Sequence, residues 1–170
     1  MSSHFNFDLR YTDPADLEYL KRWVSHPDIL KWMPMGSDKE IEDAANCWIG
    51  FYRFKCSLTA VVDGIPCGMG TLFLMPYRKV AHQAMCKIVV DPSFQRRGIG
   101  TSIVKNLKQL AKNYFSLEFL NFEVFEHNPL IKILENQGFQ EIVRQDNYVK
   151  DGENYYARIV LEVDLKRDHI

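Results

Sequence analysis

The segment from His82 to Phe125 constrains the fold most. "HQAMCKIVV" is an apolar strand-like run ending at Asp91-Pro92. Ile103, Val104, Leu107, Leu110, Ala111 and Tyr114 then recur at helical spacing, and "LEFLNFEVF" reads as a second strand. Two strands of one sheet joined by a helix run parallel, with a right-handed crossover. On either side the chain asks for the opposite pairing. Asp63-Gly64 joins "SLTAVV" to "IPCGMGTLFLM", and Asp151-Gly152 joins "FQEIVRQDNYV" to "NYYARIVLEVDL". Asp-Gly between strand patterns is a hairpin signal, so these pairs are antiparallel. One parallel step among hairpins makes a mixed sheet.

Helices must cover that sheet. "FNFDLRY" (Phe5 to Tyr11) alternates as a strand. "TDPADLEYLKRW" follows as a helix, with Thr12 or Asp13 as cap, Pro14 in the first turn and Leu17, Leu20 and Val24 on one face. "SHPDILKWMPMG" reads as an unusually apolar loop. Ser37 and Glu40 form a capping box that opens a helix from Asp38 to about Phe51, with Ile41, Ala44, Ala45, Trp48 and Phe51 inward. "PLIKILENQ" is a short helix stopped by Gly138. The order β-α-α-β-β-β-α-β-α-β-β is an α+β fold. With 170 residues, 46% of them apolar, and no repeat or linker, residues 1–170 form one domain.

Charge and cysteines narrow the function. A net charge of -1 gives no electrostatic case for nucleic acid or an anionic membrane surface. No apolar stretch is long enough to span a bilayer, and "MSSHFNFDLR" lacks the pattern of a secretory signal. Cys47, Cys56, Cys67 and Cys86 form neither a C-x-x-C pair nor a zinc-like cluster with His. Reduced thiols, no metal and a cytoplasmic location are expected.

The parallel unit carries "QRRGIGTS" at its turn. Glycine lets a ligand approach the backbone, and a helix start offers unpaired N–H groups and partial positive charge. Arg96 and Arg97 add charge, and Thr101 adds a donor. Gly98 and Gly100, before a helix beginning near Thr101, suit a phosphate or pyrophosphate. A P-loop does not fit, since no G-x-x-x-x-G-K-[ST] occurs. A dinucleotide fingerprint would need a third glycine where Ile103 stands, and polar "DPSFQRR" separates strand from glycine, although Glu118 or Glu123 could serve as its later acid.

Gln95-Arg96-Arg97-Gly98-Ile99-Gly100 resembles Q/R-x-x-G-x-G/A, the acyl-CoA signature of the GNAT N-acetyltransferases. "IVVDPSF" before it and "NPLIKILENQGF" after it are also similar to that family, as is the element order from Phe5 to Leu165. "ILENQGF" and "LRYTDPADLEYLKRW" resemble the branch of ribosomal-protein acetyltransferases of RimJ and RimL type. The resemblance implies a GNAT fold, a mixed and mostly antiparallel sheet whose central parallel strands splay apart, with acetyl-CoA as co-substrate in the splay.

Ile88, Val89 and Val90 then match the strand that pairs with pantetheine, and the Val89 N–H matches the oxyanion donor. Gln95, Arg96, Arg97, Gly98, Ile99, Gly100 and Thr101 match the pyrophosphate loop. Asn128 matches a cofactor-contacting Asn and equally suits a cap before Pro129; the stretch to Gly138 is one residue short, so His127 also competes for that position. Attack of an amine on a thioester needs a base, an oxyanion donor and a proton for the thiolate. Glu123 is the candidate base by resemblance, with Glu126 and His127 as fallbacks. A charge on a solvent-facing strand is the alternative for Glu123.

Two family groups are missing. Leu134 stands where many members carry the tyrosine acid, leaving Tyr148, Tyr155 or water, and Met85 stands where some carry a strand glutamate. The acceptor is expected between the Trp32, Met33, Met35 loop and the hairpin bearing Tyr148, Tyr155 and Tyr156, with Trp32 as a substrate contact. The expected function is acetyl transfer to a primary amine, of a peptide N-terminus or a small molecule. A non-catalytic acyl-CoA sensor or scaffold is the alternative that Leu134 and Met85 favour. A homodimer is compatible with the sequence, which does not report the oligomeric state.

Overall fold

The computed structural model describes residues 6–168. Phe5 of the expected first strand, and the rest of Met1–Phe5, lie outside the described residues. The chain runs β1 (Phe7–Tyr11), α1 (Leu17–Ser25), α2 (Pro27–Leu30), α3 (Asp38–Ile49), β2 (Ser57–Val62), β3 (Ile65–Leu74) and β4 (Gln83–Val90). It continues through α4 (Ile99–Asn113), β5 (Phe119–Phe125), α5 (Leu130–Asn136), β6 (Gln140–Asp151) and β7 (Asn154–Asp164). One seven-stranded sheet has the order β1-β2-β3-β4-β5-β7-β6. β4 and β5 pair in parallel, and the other neighbouring strands are antiparallel.

Both hairpins form, the second with its turn one residue later than expected: Asp151 ends β6, paired with Asn154, and Gly152-Glu153 make the turn. Asp63 and Gly64 both take positive φ (50° and 79°), which suits the right-handed twist of the flanking strands. The apolar loop differs from expectation. His26, Pro27 and Asp28 open the short helix α2, where the His26 imidazole accepts from the Asp28 N–H at 3.1 Å. The Ser37 cap forms, but Glu40 reaches back one residue further than a capping box requires. Its Oε2 accepts from the Gly36 N–H at 2.6 Å.

Two apolar clusters sandwich the sheet. Ile103, Val104 and Leu107 of α4, with Leu134 of α5, pack on one face. Leu20 and Trp23 of α1, with Ile41 and Trp48 of α3, pack on the other. Burying each such side chain contributes about 1.5–3 kcal/mol. Gly70 is required by this packing, because a Cβ there would overlap the side chains of Ile103 and Leu107. A buried polar network fixes the second face. Trp48 Nε1 donates to Thr71 Oγ1 at 2.7 Å, and Ser57, Thr12 and Thr59 continue the chain of hydroxyls to Asp16. Arg10 grips Asp16 with both terminal nitrogens, at 2.8 and 2.9 Å.

The parallel pair is short. β4 and β5 are in register from Gln83↔Phe119 to Cys86↔Phe122. Beyond that point β4 stays with β3 from Lys87↔Thr71 to Val90↔Gly68, and β5 stays with β7 from Glu123↔Val160 to Phe125↔Arg158. The two strands therefore part at the C-terminal end of β4.

Candidate active site

Backbone direction decides what the splay offers. Asp91 N–H donates to Cys67 C=O at 2.8 Å, and Glu118 N–H donates to His82 C=O at 2.7 Å. In an antiparallel ladder alternate residues turn their amides to the partner. Continued along β4, that alternation turns Val89 to Met69 of β3, and Ile88 and Val90 to the splay. The Val89 N–H is thus spent within the sheet. This corrects the sequence expectation of Val89 as oxyanion donor, since the choice depends on a register that local pattern does not contain. The Val90 C=O is also engaged, accepting from Gln95 Nε2 at 3.2 Å. The Ile88 N–H and C=O and the Val90 N–H face the gap between the strands.

Below the splay lies the start of α4. Arg96 (φ 63°) and Gly98 (φ 80°) are both left-handed, and Gly98 is the residue before the helix. The helix begins at Ile99, two residues before the expected Thr101. The Ser102 N–H makes a helical bond to Gly98 C=O at 3.0 Å. The amides of Ile99, Gly100 and Thr101 precede it and have no place in the helical ladder.

Strand and helix start meet in one cavity of about 500 Å³. Its walls include Ile88, Val89 and Val90, then Gln95, Arg96 and Gly98, then Ile99, Gly100 and Thr101. Asn128 and Ile133 close one side, and Asp28, Ile29 and Trp32 the other. Arg97 is not among the lining residues; its guanidinium lies over the Phe94 ring, 5.3 Å from the centroid. A smaller cavity of about 230 Å³ adjoins it, and Trp32, Met33, Ile88, Asn128 and Leu130 line both. The smaller one is floored by Met85, Lys87, Glu123 and Phe125 and walled by Trp48 and Met35.

A cavity with unpaired helix-start amides at one end, adjoining a small chamber with one carboxylate, suits an acyl carrier beside an acceptor. The sequence matches the Acetyltransferase (GNAT) family over residues 18–139. The chain belongs to the GNAT acetyltransferase family. L-amino acid N-acetyltransferase AaaT of Escherichia coli (strain K12) is 26% identical over 136 residues, 78% of this chain and 82% of that protein. Among solved structures, yncA of Salmonella typhimurium with its cofactor acetyl-CoA superposes with a TM-score of 0.80 at 12% identity, covering 96% of each chain. A ribosomal-protein-alanine N-acetyltransferase from Brucella melitensis reaches 0.77 at 16% identity, covering 92% of this chain and 99% of its own. This GNAT protein is an acetyl-CoA-dependent N-acyltransferase, with acetyl-CoA as co-substrate.

The groups that could move protons separate clearly. Glu123, on β5, is one-third exposed, and its Oε2 lies 3.0 Å from Arg158 Nε. That contact is ionic, since the Arg158 Nε–H makes no aligned hydrogen bond. Arg158 also lies over the Tyr148 ring, 5.2 Å from its centroid. Glu126 is committed elsewhere. Its carboxylate accepts from the Ala157 N–H at 2.7 Å and from Arg144 at 2.8 Å. The Ala157 bond, aided by Arg144, outweighs desolvation and holds the Glu126 carboxyl below its usual range. The His127 ring is 76% exposed and lines neither cavity.

Asn128 Oδ1 accepts from the Leu130 N–H at 2.9 Å, so it caps the turn into α5 and also lines the junction of the cavities. Leu134 is fully buried in the core. Tyr148 and Tyr155 are exposed on the β6–β7 hairpin and line neither cavity. Burial pushes the Cys56 and Cys67 thiols up to about 11, which leaves them protonated and inert at neutral pH.

Lys87 and Arg158 are the polar residues that sequence reasoning passed over. A lysine inside "AMCKIVV" looks like a solvated face, although its alternation with Met85 and Val89 places it with them. Arg158 had no signal, because its partner Glu123 is distant in sequence.

Proposed function

We propose that the protein acetylates a primary amine by direct attack, with the groove along β4 and α4 holding acetyl-CoA and Glu123 as the base. The observation that carries this is the shared boundary of the two cavities at Ile88, Trp32 and Asn128. Acetyl-CoA supplies the activated acetyl group. The Ile88 C=O and the Val90 N–H offer pairing along its extended arm, as an edge strand would. The amides of Ile99, Gly100 and Thr101, with the side chain of Arg96, receive the pyrophosphate. A Cβ at Gly100 would sit 3.5 Å from Ile133 Cδ1 and 3.8 Å from Val90 Cγ2, so glycine keeps that wall clear.

Ile88, on the boundary, offers its N–H to the negative charge that develops on the carbonyl oxygen. Glu123 holds the acceptor ammonium and removes its proton, directly or through one water. Arg158 keeps that carboxylate in place. Neither Tyr148 nor Tyr155 lines the site, so water supplies the proton that the thiolate needs. Trp32 packs over the acceptor where the cavities meet.

The acceptor belongs to the class of primary amines. The AaaT relative points to small molecules, and the small second chamber fits them better than a protein surface. Thiol release from acetyl-CoA with a panel of amines tests the reading. Glu123→Gln is expected to lower kcat by about 100-fold or more, with calorimetric acetyl-CoA affinity within about threefold. Equal turnover by Glu123→Gln would overturn the assignment of the base.

A further inference from the structure

The acceptor chamber contains two charged side chains, Glu123 and Lys87. Glu123 is paired with Arg158. Lys87 forms no ion pair with any carboxylate of the described residues. Its Nζ lies over the rings of Phe73 and Trp48, 4.8 and 5.9 Å from their centroids. Those rings hold the ammonium beside the Trp48 wall without neutralising it. The Trp48 ring is itself held by its bond to Thr71 at 2.7 Å.

Register places the two charges on the same side of the sheet. Met85 and Asn121 are partners in the parallel pair, and Lys87 and Glu123 each follow by two residues. Strand alternation puts both on the face covered by Trp48. Apart from Asn128 at its junction with the larger cavity, the side chains lining the rest of the chamber are largely apolar, among them Met33, Met35, Phe125 and Val24. A cation and a carboxylate in one small apolar chamber are complementary to a zwitterion.

We propose that Lys87 is the anion anchor of the acceptor site, selecting amines that carry a carboxylate beside the amino group. This rests on the acetyl-transfer reading above and narrows it. The acceptor's ammonium meets Glu123, its carboxylate meets Lys87, and an apolar side chain lies against Trp48 and Met33. A polyamine would bring a second cation towards Lys87 and is disfavoured by like charge. Lys87 touches substrate but moves no proton.

The test uses L-amino acids paired with their C-terminal amides, such as L-leucine with L-leucinamide. Two readouts are taken on the full chain. One is acetyl-CoA-dependent thiol release. The other is quenching of the intrinsic tryptophan fluorescence, to which Trp32 and Trp48 at the site contribute beside Trp23, in protein saturated with CoA. Wild type should prefer the acid over its amide by roughly 10- to 100-fold in kcat/KM, the worth of one charge-assisted hydrogen bond. Lys87→Met, which keeps the apolar stem, should bring that ratio close to one, mainly through KM, and Lys87→Arg should restore part of it.

A wild-type ratio near one, a ratio unchanged by Lys87→Met, or no acid bound at all would overturn the proposal. Turnover of amines without preference for acids sinks the anchor and spares the acetyl-transfer reading. Lys87-dependent binding of acids without turnover does the reverse.

Discussion

Gly100→Glu separates binding from folding. An added Cβ would meet Ile133 Cδ1 at 3.5 Å and Val90 Cγ2 at 3.8 Å, both ordinary contacts, so the fold can accept it. Gly100 is the second residue of α4. Replacing a helical glycine there gains about 0.5 kcal/mol of propensity. A carboxylate in the first turn adds about 0.3–1 kcal/mol through the helix dipole. Thermal stability should therefore hold or rise slightly. Binding should fail. The introduced carboxylate would occupy the wall where the pyrophosphate is proposed to lie, and one unit of like charge at about 5 Å costs ~3 kcal/mol at an effective dielectric of about 20. That is roughly 200-fold in the CoA dissociation constant. Calorimetric titration with CoA, beside a scanning melt, reads both quantities. Gly100→Gln isolates the steric share, and the effect of Gly100→Glu should exceed it and shrink with added salt. Wild-type CoA affinity in Gly100→Glu would refute the placement of the pyrophosphate at α4.

The buried network behind Trp48 gives a pH prediction. Desolvation alone would raise the Asp16 carboxyl, but the Arg10 hydrogen bonds, the Asp13 amide and Thr59 together outweigh it and hold it below its ordinary 3.8. A depressed acid stabilises the fold above its unfolded value, and that contribution is lost as pH falls through the folded one. Melting temperature should thus drop more steeply below about pH 4 in wild type than in Asp16→Asn, which at neutral pH should lose about 2 kcal/mol, or roughly 4–8 °C. Leu134→Tyr should not restore an acid. It overfills a fully buried site, costing about 1–3 kcal/mol by thermal melt, with no gain in the rate of thiol release. Glu126→Gln should leave the low-pH limb of the pH–rate profile in place, because its carboxylate holds Ala157 and Arg144 and not the acceptor; loss of that limb would move the base from Glu123.

Local chemistry carried most of the architecture. The two hairpins, the helical spacing of Ile103 to Ala111 and the glycines of "QRRGIG" each depend on neighbours within a few residues, so they could be read directly. The helix α2 escaped notice because a single turn cannot display a helical period, although Pro27 after a capping His26 was a usable sign. The start of α4 moved because a left-handed glycine, and not Ser or Thr, precedes it. The turn at which the pyrophosphate is proposed to lie stands out in the sequence for the same local reason. The chemistry was not. Which of Ile88, Val89 and Val90 opens to the splay depends on register with β3 and β5. The pairing of Glu123 with Arg158, and the chamber that gathers Lys87 with Glu123, exist only once distant strands meet.

Residue-resolved amide exchange, with and without CoA, tests the central claim most directly. In the free protein the Val89 amide should be protected by Met69, while those of Ile88, Val90, Ile99, Gly100 and Thr101 exchange faster. Saturating CoA should slow the Val90, Gly100 and Thr101 amides by about tenfold or more, leaving Val89 unchanged. Protection confined to another surface, or no change along β4 and the start of α4, would contradict the account.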